Sequence, residues 1–518
     1  MYVTDSRESR ELDRVAMSFG LAGVVLMENA SRSIFQAALE FWPRLAQDPS
    51  IPVAVLAGPG QNGGDGLVLA RLFSARGHPV QVWRVGPEPG GDAAINLKIL
   101  HNLGLPVEIL SQATQTGPTL DPRALLIDAL LGTGLDRPVT GPLAQTLEKV
   151  AHHPGPTLAV DLPSGLAADT GQALGPVKKA HLTVTVGAYK RGLFLRDGPN
   201  LAGTIRLADL GLCPPMLAQA EPRGLFLDES LARSYAPARP QAGHKGSFGH
   251  AVVAGGAVGK TGALALATLG ALRSGCGLVT AAHPASCGLS LTDNLISAMT
   301  WPLAEDQPGQ VSAKAASALM EFLAIRGKPL GLGPGLGLGP GAQALTRRLA
   351  AELPLPLVLD ADALTALVGQ LDLLAQAPAP RILTPHPGEA GQLLGLSPQD
   401  IQRDRFGAVQ ALARQSQAVV LLKGQHTLIF DPQTDRYLVN SSGGPVLAVG
   451  GSGDILTGLI TGFLAQKLSP LAAAALGAFT HGRAGDLAAQ RLGTRGILPG
   501  ETAAFLPEVL TRLTSKPE

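Results

Sequence analysis

Short uninterrupted apolar runs, each ending at a small or charged residue and then giving way to a helical repeat, recur along this chain. Val53 to Ala57 is such a run; it leads into Gly58-Pro59-Gly60-Gln61-Asn62-Gly63-Gly64-Asp65-Gly66 and an apolar helix expected from Leu67 to Phe73. Val80 to Val85 follows, then Ala124 to Ile127 ending at Asp128, and Leu158 to Val160 ending at Asp161. The pattern returns at Gly249 to Gly256, Leu357 to Asp360, Ile382 to Glu389 and Val419 to Gly424. Strands that are apolar on both faces belong in parallel sheets covered by helices, so the alternation predicts an α/β protein with doubly wound sheets. Helical spacing marks Leu12, Val15, Ala16 and Phe19 as one buried face, Val24 to Ala30 as a second helix, and Ile455, Leu456, Leu459, Ile460 and Phe463 as a third.

In a parallel sheet all strand C-termini lie on one edge, where ligands bind. Asn62, Asp128, Asp161 and Ser164 can therefore meet in the first half, and Asp360, His386, Lys423 and Asp454 in the second. At 518 residues the chain exceeds one ordinary core. The pattern loosens between Pro199 and Pro240, around Cys213-Pro214-Pro215 and Ala236-Pro237-Ala238-Arg239-Pro240, which sets expected domains at 1–220 and 221–518.

A formal net charge of +1 with the two signs intermixed gives no electrostatic footprint for nucleic acid. Three cysteines without CxxC spacing speak against structural zinc and for a reducing compartment. Met1 to Arg14 reads as a charged amphipathic helix and not as a secretory signal. The longest apolar run, Ala263 to Leu272, is about half of what a bilayer span needs, so a cytoplasmic protein with no membrane partner is expected.

Gly58, Gly60 and Gly63 formally satisfy GxGxxG, which is weak evidence alone. The next strand carries Arg84 where an ordinary NAD site would place an acidic residue, and the polar insert Asn62 with Asp65 favours a different kind of binder. Oxygen donors at successive strand ends suit a hard cation better than zinc or copper. In the second half, small residues at Gly450-Gly451-Ser452-Gly453 leave the amides of Gly451 to Asp454 free to converge on phosphate at a helix N-terminus. Asp454 beside bound phosphate is costly unless it acts as a base or is paired. Lys423 would neutralise the same phosphate, and His386 between two prolines either caps a rigid loop or faces the ligand. No GxxxxGK[ST] is present, so this is not a P-loop enzyme.

Arg10-Glu11-Leu12-Asp13-Arg14, Leu26-Met27-Glu28-Asn29-Ala30, Asn62-Gly63-Gly64-Asp65-Gly66, Asp128 to Leu135 and Asp161-Leu162-Pro163-Ser164-Gly165 together resemble the NAD(P)H-hydrate epimerase domain. Lys178 to Phe194 is similar to the end of that domain. The resemblance implies a Rossmann-like fold that interconverts the R and S forms of hydrated NADH and NADPH (NADHX and NADPHX). It makes Asn62, Asp128 and Ser164 potassium ligands. It places substrate against Gln61, Asn62, Gly63, Gly64 and Asp65, against Gly132, Thr133, Gly134, Leu135, Asp136, Arg137 and Pro138, and against Asp161, the candidate for proton transfer. Gln61 stands where the family usually has Asn.

The second half, through His244-Lys245-Gly246, Gly333 to Gly337, Asp360 to Leu364, Thr384 to Glu389, Leu422-Lys423-Gly424, Gly450 to Asp454 and His481 to Asp486, resembles the ribokinase-like NAD(P)H-hydrate dehydratases. That implies Ala263, Gly335, His386 and Asp454 at the hydrated nicotinamide, and Lys423, Gly424, Gln425, His426, Thr427 and Gly453 at the nucleotide. ADP with Mg2+ is the expected phosphoryl donor, Asp454 the expected base, and a homo-oligomer the expected assembly. Gly259-Lys260-Thr261 and Pro445 to Val449 depart from the family pattern. Two other readings stay open: a vitamin-precursor or sugar kinase in the second half, and a non-catalytic regulatory module in the first.

Overall fold

The computed structural model describes residues 1–110, 118–292 and 295–515, and the chain divides into two units, Met1–Gly224 and Leu225–Glu518. In the first unit, strands β1 (Val53–Ala57), β2 (Val80–Val85), β3 (Val107–Leu110), β4 (Leu125–Ala129), β5 (Thr157–Val160), β6 (Leu182–Val186) and β7 (Thr204–Ala208) form a parallel sheet in the order β3-β2-β1-β4-β5-β6-β7. The chain runs outward from β1 to β3 and then resumes on the other side of β1 at β4. This reversal opens a crevice at the C-terminal ends of β1 and β4, the position favoured for ligands in open α/β sheets.

Helix α1 (Ser6–Ser18) is started by Asp5, whose side chain accepts from the N–H groups of Arg7 and Glu8 while Glu8 returns a bond to the Asp5 N–H. Leu12, Val15 and Ala16 are buried as the spacing predicts. Phe19, expected on the same face, lies beyond the last helical residue and is exposed. Helix α2 (Gly23–Phe41) incorporates the expected second helix. Helix α3 (Gln61–Ala75) begins at Gln61 and not at Leu67, which puts Asn62 to Asp65 on helical backbone instead of in a loop. A short parallel pair, Tyr2–Thr4 with Tyr189–Lys190, draws the N-terminal segment to the chain that follows β6.

The second unit carries β8 (His250–Ala254), β9 (Leu278–Pro284), β10 (Met299–Leu303), β11 (Leu330–Leu332), β12 (Leu357–Leu359), β13 (Arg381–Leu383), β14 (Val419–Leu422), β15 (Leu428–Asp431) and β16 (Arg436–Asn440) in the order β10-β9-β8-β11-β12-β13-β14-β15-β16. Pairing is parallel as far as β14 and antiparallel from β14 to β16. Helices α4 (Thr261–Arg273) and α5 (Ser452–Ala465) cross backbone to backbone. A Cβ on Gly270 would lie 2.2 Å from the Ile455 carbonyl oxygen, and one on Gly458 only 1.8 Å from that of Ala267. Ile455, Leu459, Ile460 and Phe463 are fully buried, so α5 anchors this core along the face its sequence predicted. Among the described residues no helix is long and apolar enough to cross a membrane.

Candidate active sites

The crevice of the first unit is a cavity of about 470 Å³. Its lining includes Gln61, Asn62, Asp65, Gly132, Thr133, Gly134, Leu135 and Asp161 from the expected set, and also Asp13 from α1 and Lys190. Asp136, Arg137 and Pro138 are exposed and lie outside that lining. Gly63 and Gly64 are also outside it, and their smallness serves packing: a Cβ at Gly63 would sit 1.9 Å from the Gly58 carbonyl oxygen, and one at Gly64 2.5 Å from Met27 Cε.

Asp161 ends β5 with a left-handed φ of 65°, which turns its carboxylate inward. Its Oδ1 accepts from Thr185 Oγ1 and from the Val186 N–H, both at 3.0 Å, and Lys190 Nζ lies 2.7 Å away with its side chain almost wholly buried. Converging donors on one oxygen are the arrangement that a carboxylate anion accepts. Asp65 is in a different state. It takes a 3.1 Å bond from Ser31 Oγ, forms no ion pair among the described residues, and burial pushes its carboxyl up to about 8, with the Asp161 charge adding to the effect and Lys190 opposing it.

Below the cavity floor, Ser164 N donates to Asp128 Oδ2 at 2.8 Å and Ser164 Oγ to Asp128 Oδ1 at 2.5 Å. Both residues are buried, and burial raises the Asp128 carboxyl. Asn62 lies over Gly132, where an added Cβ would come within 3.3 Å of its amide, and among the described residues its buried Nδ2 has no hydrogen-bond partner. That orphaned atom is an N–H donor and not a cation ligand; the hard donors that a cation would use here are the Asn62 amide oxygen, the Ser164 hydroxyl and the Asp128 carboxylate.

In the second unit the close crossing of α4 and α5 fixes both helix N-termini at one sheet edge. Lys423, at the end of β14, donates to Asp360 Oδ1 at 2.8 Å and lies 3.7 Å from Glu389 Oε2. Burial alone would lower its ammonium, but those carboxylates outweigh it and the net shift is upward. Thr457 Oγ1 donates to the other Asp360 oxygen at 2.6 Å. Gly453 abuts this pair, since a Cβ there would lie 3.3 Å from Lys423 Nζ. Asp454 is raised to about 7, first by burial and then by the Asp360 charge, with Lys423 pulling the other way. Gly451 adopts φ 93° and Ser452 opens α5; the Ser452 N–H already bonds the Val449 carbonyl at 3.3 Å, so the amides around it are the ones left for an anion.

Gly335, at φ 61°, leaves room for Lys260 and Ala263: its missing Cβ would meet the Lys260 carbonyl at 2.5 Å and the Ala263 Cβ at 3.2 Å. Lys260 reaches Asp362 at 2.9 Å. His386 caps the helix Pro387–Leu394, its Nδ1 accepting from the N–H groups of Gly388 and Glu389, while the ring stays exposed. The turn Gly424 to Thr427 is held from beneath by Arg405, which donates to the Gln425 carbonyl at 2.5 Å, and His426 Nδ1 approaches the Asn440 carbonyl at 3.2 Å. Among the described residues no three His, Cys, Asp or Glu side chains gather as a metal cage.

Residues 251–508 match the family described as NAD(P)H-hydrate dehydratase, and residues 23–192 the one described as YjeF-related protein N-terminus. The bifunctional NAD(P)H-hydrate repair enzyme Nnr of Moorella thermoacetica is 39% identical over 524 residues, covering 100% of this chain and 98% of its own. The chain belongs to the bifunctional NAD(P)H-hydrate repair enzymes. The repair enzyme of Coxiella burnetii is 38% identical across 95% of this chain and 96% of its own, and that of Escherichia coli 33% across 98% and 93%. A solved ADP/ATP-dependent NAD(P)H-hydrate dehydratase from Bacillus subtilis, co-crystallised with ATP and Mg2+, is 29% identical with a TM-score of 0.47, covering 56% of this chain and 98% of that one.

Both halves of the chain are α/β, the first on a parallel sheet and the second on a sheet that is parallel as far as β14. The structure adds residues to which sequence reasoning gave no site role. Asp13, Lys190 and Thr185 surround Asp161, and Glu389 and Thr457 complete the Asp360–Lys423 network. Asp13, Lys190 and Glu389 stood inside quoted motifs, but only the tertiary pairing tells which charge each one meets.

Proposed function

We propose that residues 1–220 epimerise R- and S-NAD(P)HX and that residues 221–518 dehydrate the S form at the expense of ADP, yielding NAD(P)H, AMP and phosphate. The observation that carries the second part is Asp454, raised to about 7 on the helix that opens beside the free amides and Lys423. Asp454 takes the proton of the substrate hydroxyl as that oxygen attacks the terminal phosphate of ADP. The amides around Ser452 and the Lys423 ammonium hold the transferring group in place. The hydroxyl becomes a phosphate ester with AMP as the leaving group; the ester then leaves as phosphate, the neighbouring ring carbon gives up a proton to solvent, and that C–H electron pair restores the ring double bond.

In the first unit, Asp161 is the proton-transfer carboxylate, with its orientation set by Thr185, Val186 and Lys190. Asn62, Asp128 and Ser164 would hold potassium, which supplies fixed positive charge under the substrate loop. Mg2+ would supply charge neutralisation on the nucleotide phosphates, with Glu389 and Asp454 the carboxylates on that side. Free Cys213, Cys276 and Cys287 support a cytoplasmic setting, and we take the active species to be a homo-oligomer.

The test is incubation with hydrated NADH and either ADP or ATP while the reduced-nicotinamide absorbance is followed. Recovery with ADP and release of inorganic phosphate are expected. A stable phosphorylated product would mark a small-molecule kinase, and no recovery with either nucleotide would defeat the proposal.

A further inference from the structure

Three carboxyl groups, Asp13, Asp65 and Asp161, share the cavity of the first unit with two cationic side chains, Arg10 and Lys190. Arg10 is not among the groups that bear on Asp65, and Lys190 is committed elsewhere. Lys190 Nζ lies 2.7 Å from Asp161 Oδ1 and donates also to the Val186 carbonyl oxygen at 2.5 Å. Asp161 further gathers a hydroxyl and an amide on that same oxygen, whereas the carboxyl of Asp65 has one neutral partner, Ser31 Oγ from the adjacent α2. Two titratable groups facing one cavity in environments this different divide into an acid and a base.

We infer that Asp65 is the proton donor that expels the hydroxyl from the hydrated nicotinamide ring, and that Asp161 is the carboxylate that activates the returning water. The inference rests on the reading of this cavity as the epimerase site. Hydration of an enamine places the hydroxyl on the carbon bonded to nitrogen, so that carbon can be inverted without breaking a carbon–carbon bond. Asp65 gives its proton to the hydroxyl, the C–O bond breaks, water leaves, and the ring nitrogen lone pair forms a C=N⁺ bond. A water then adds to the opposite face, its proton passes to Asp161, and the C=N⁺ electron pair returns to nitrogen. The net change in the enzyme is one proton moved from Asp65 to Asp161, which solvent reverses. In the opposite direction the two groups exchange roles.

The position of Asp65 suits the donor role. It lies on α3 in the first turns after β1, lines the cavity, and is buried. The groups that bear on it are Ser31 from α2, Asp13 from α1, and Asp161 and Lys190 from the segments that follow β5 and β6. Burial dominates over all of these and keeps the proton on Asp65 up to about 8.

The experiment compares Asp65→Asn, Asp161→Asn and Ser31→Ala in the full chain, following R/S interconversion of hydrated NADH chromatographically across pH. Asp65→Asn should lose roughly 100-fold or more in kcat with KM little changed, because a donor is removed while the shape is kept. Ser31→Ala removes the hydroxyl that stabilises the Asp65 anion, so the alkaline fall of epimerisation should move to higher pH; a purely structural role for Asp65 would leave that limb in place. If Asp65→Asn does not fold, the Ser31→Ala limb decides, and an unmoved limb overturns the inference. Wild-type epimerisation by a folded Asp65→Asn, with Asp161→Asn inactive, overturns it while leaving the epimerase reading intact. A wild-type chain that never interconverts the two forms removes both.

Discussion

The two units build the same electrostatic motif in opposite senses. Each ends a central strand in an aspartate, pairs that aspartate with a lysine, and leaves a second carboxylate on the helix that follows a glycine-rich turn. In the first unit the pair is Asp161 with Lys190 and the remaining carboxylate is Asp65; in the second the pair is Asp360 with Lys423 and the remaining carboxylate is Asp454. Both remaining groups are raised by burial, to about 8 and to about 7. The difference lies in what each must do. Dehydration needs Asp454 without its proton, whereas hydroxyl expulsion needs Asp65 with it. The two activities should therefore respond to pH in opposite directions, and they overlap only where Asp454 has lost its proton and Asp65 has kept its own.

The largest expected effect is on Asp454. Asp454→Asn should cost roughly 100- to 10,000-fold in dehydration, as loss of a general base does, with R/S interconversion unchanged in the same preparation. Loss of both activities together would break the assignment of separate centres. The helix crossing that positions Asp454 comes next. Gly458→Ala places a methyl 1.8 Å from the Ala267 carbonyl oxygen, so α4 and α5 must separate; about 1–3 kcal/mol or more of destabilisation is expected by denaturant titration, and dehydration should fall with it.

Asp360→Asn sharpens the comparison further. It removes a like charge from beside Asp454 and frees Lys423, so the acid limb of dehydration should shift to lower pH. A limb that moves upward would contradict the charge balance described for this edge.

The smallest effect is a slope. The folded-state value of Asp65, about 8, lies above its ordinary 3.8, so between these values the folded protein binds the extra proton. The stability it contributes is complete below about 4 and is lost as pH rises through about 8. Asp65→Asn should flatten that decline, and calorimetric midpoints of variant and wild type should diverge in the variant's favour as pH rises through this window.

Much of this comparison could be read in the sequence. Apolar runs ending in Asp161, Asp360 and Lys423 placed those side chains on sheet edges, because a parallel sheet sorts its C-termini to one side. The glycine-rich turn and helical spacing after Gly450 located Asp454. Other features required the fold. The proton on Asp65 depends on burial and on Lys190 being engaged with Asp161, and it is kept although the Ser31 hydroxyl from another helix favours the anion; none of this is encoded in local pattern. The start of α3 at Gln61 turned an expected loop into helix, so Gly63 and Gly64 serve close packing against Gly58 and Met27 and lie outside the cavity lining. Phe19 followed the helical spacing but falls after the last turn of α1, where periodicity no longer dictates burial.

The most direct measurement is the pH–rate profile of both reactions on one preparation, with R/S interconversion and ADP-driven recovery of reduced nicotinamide read in parallel. Dehydration should rise through about 7 and epimerisation should fall above about 8. Limbs running in the same direction, or dehydration undiminished on the acid side, would contradict the account.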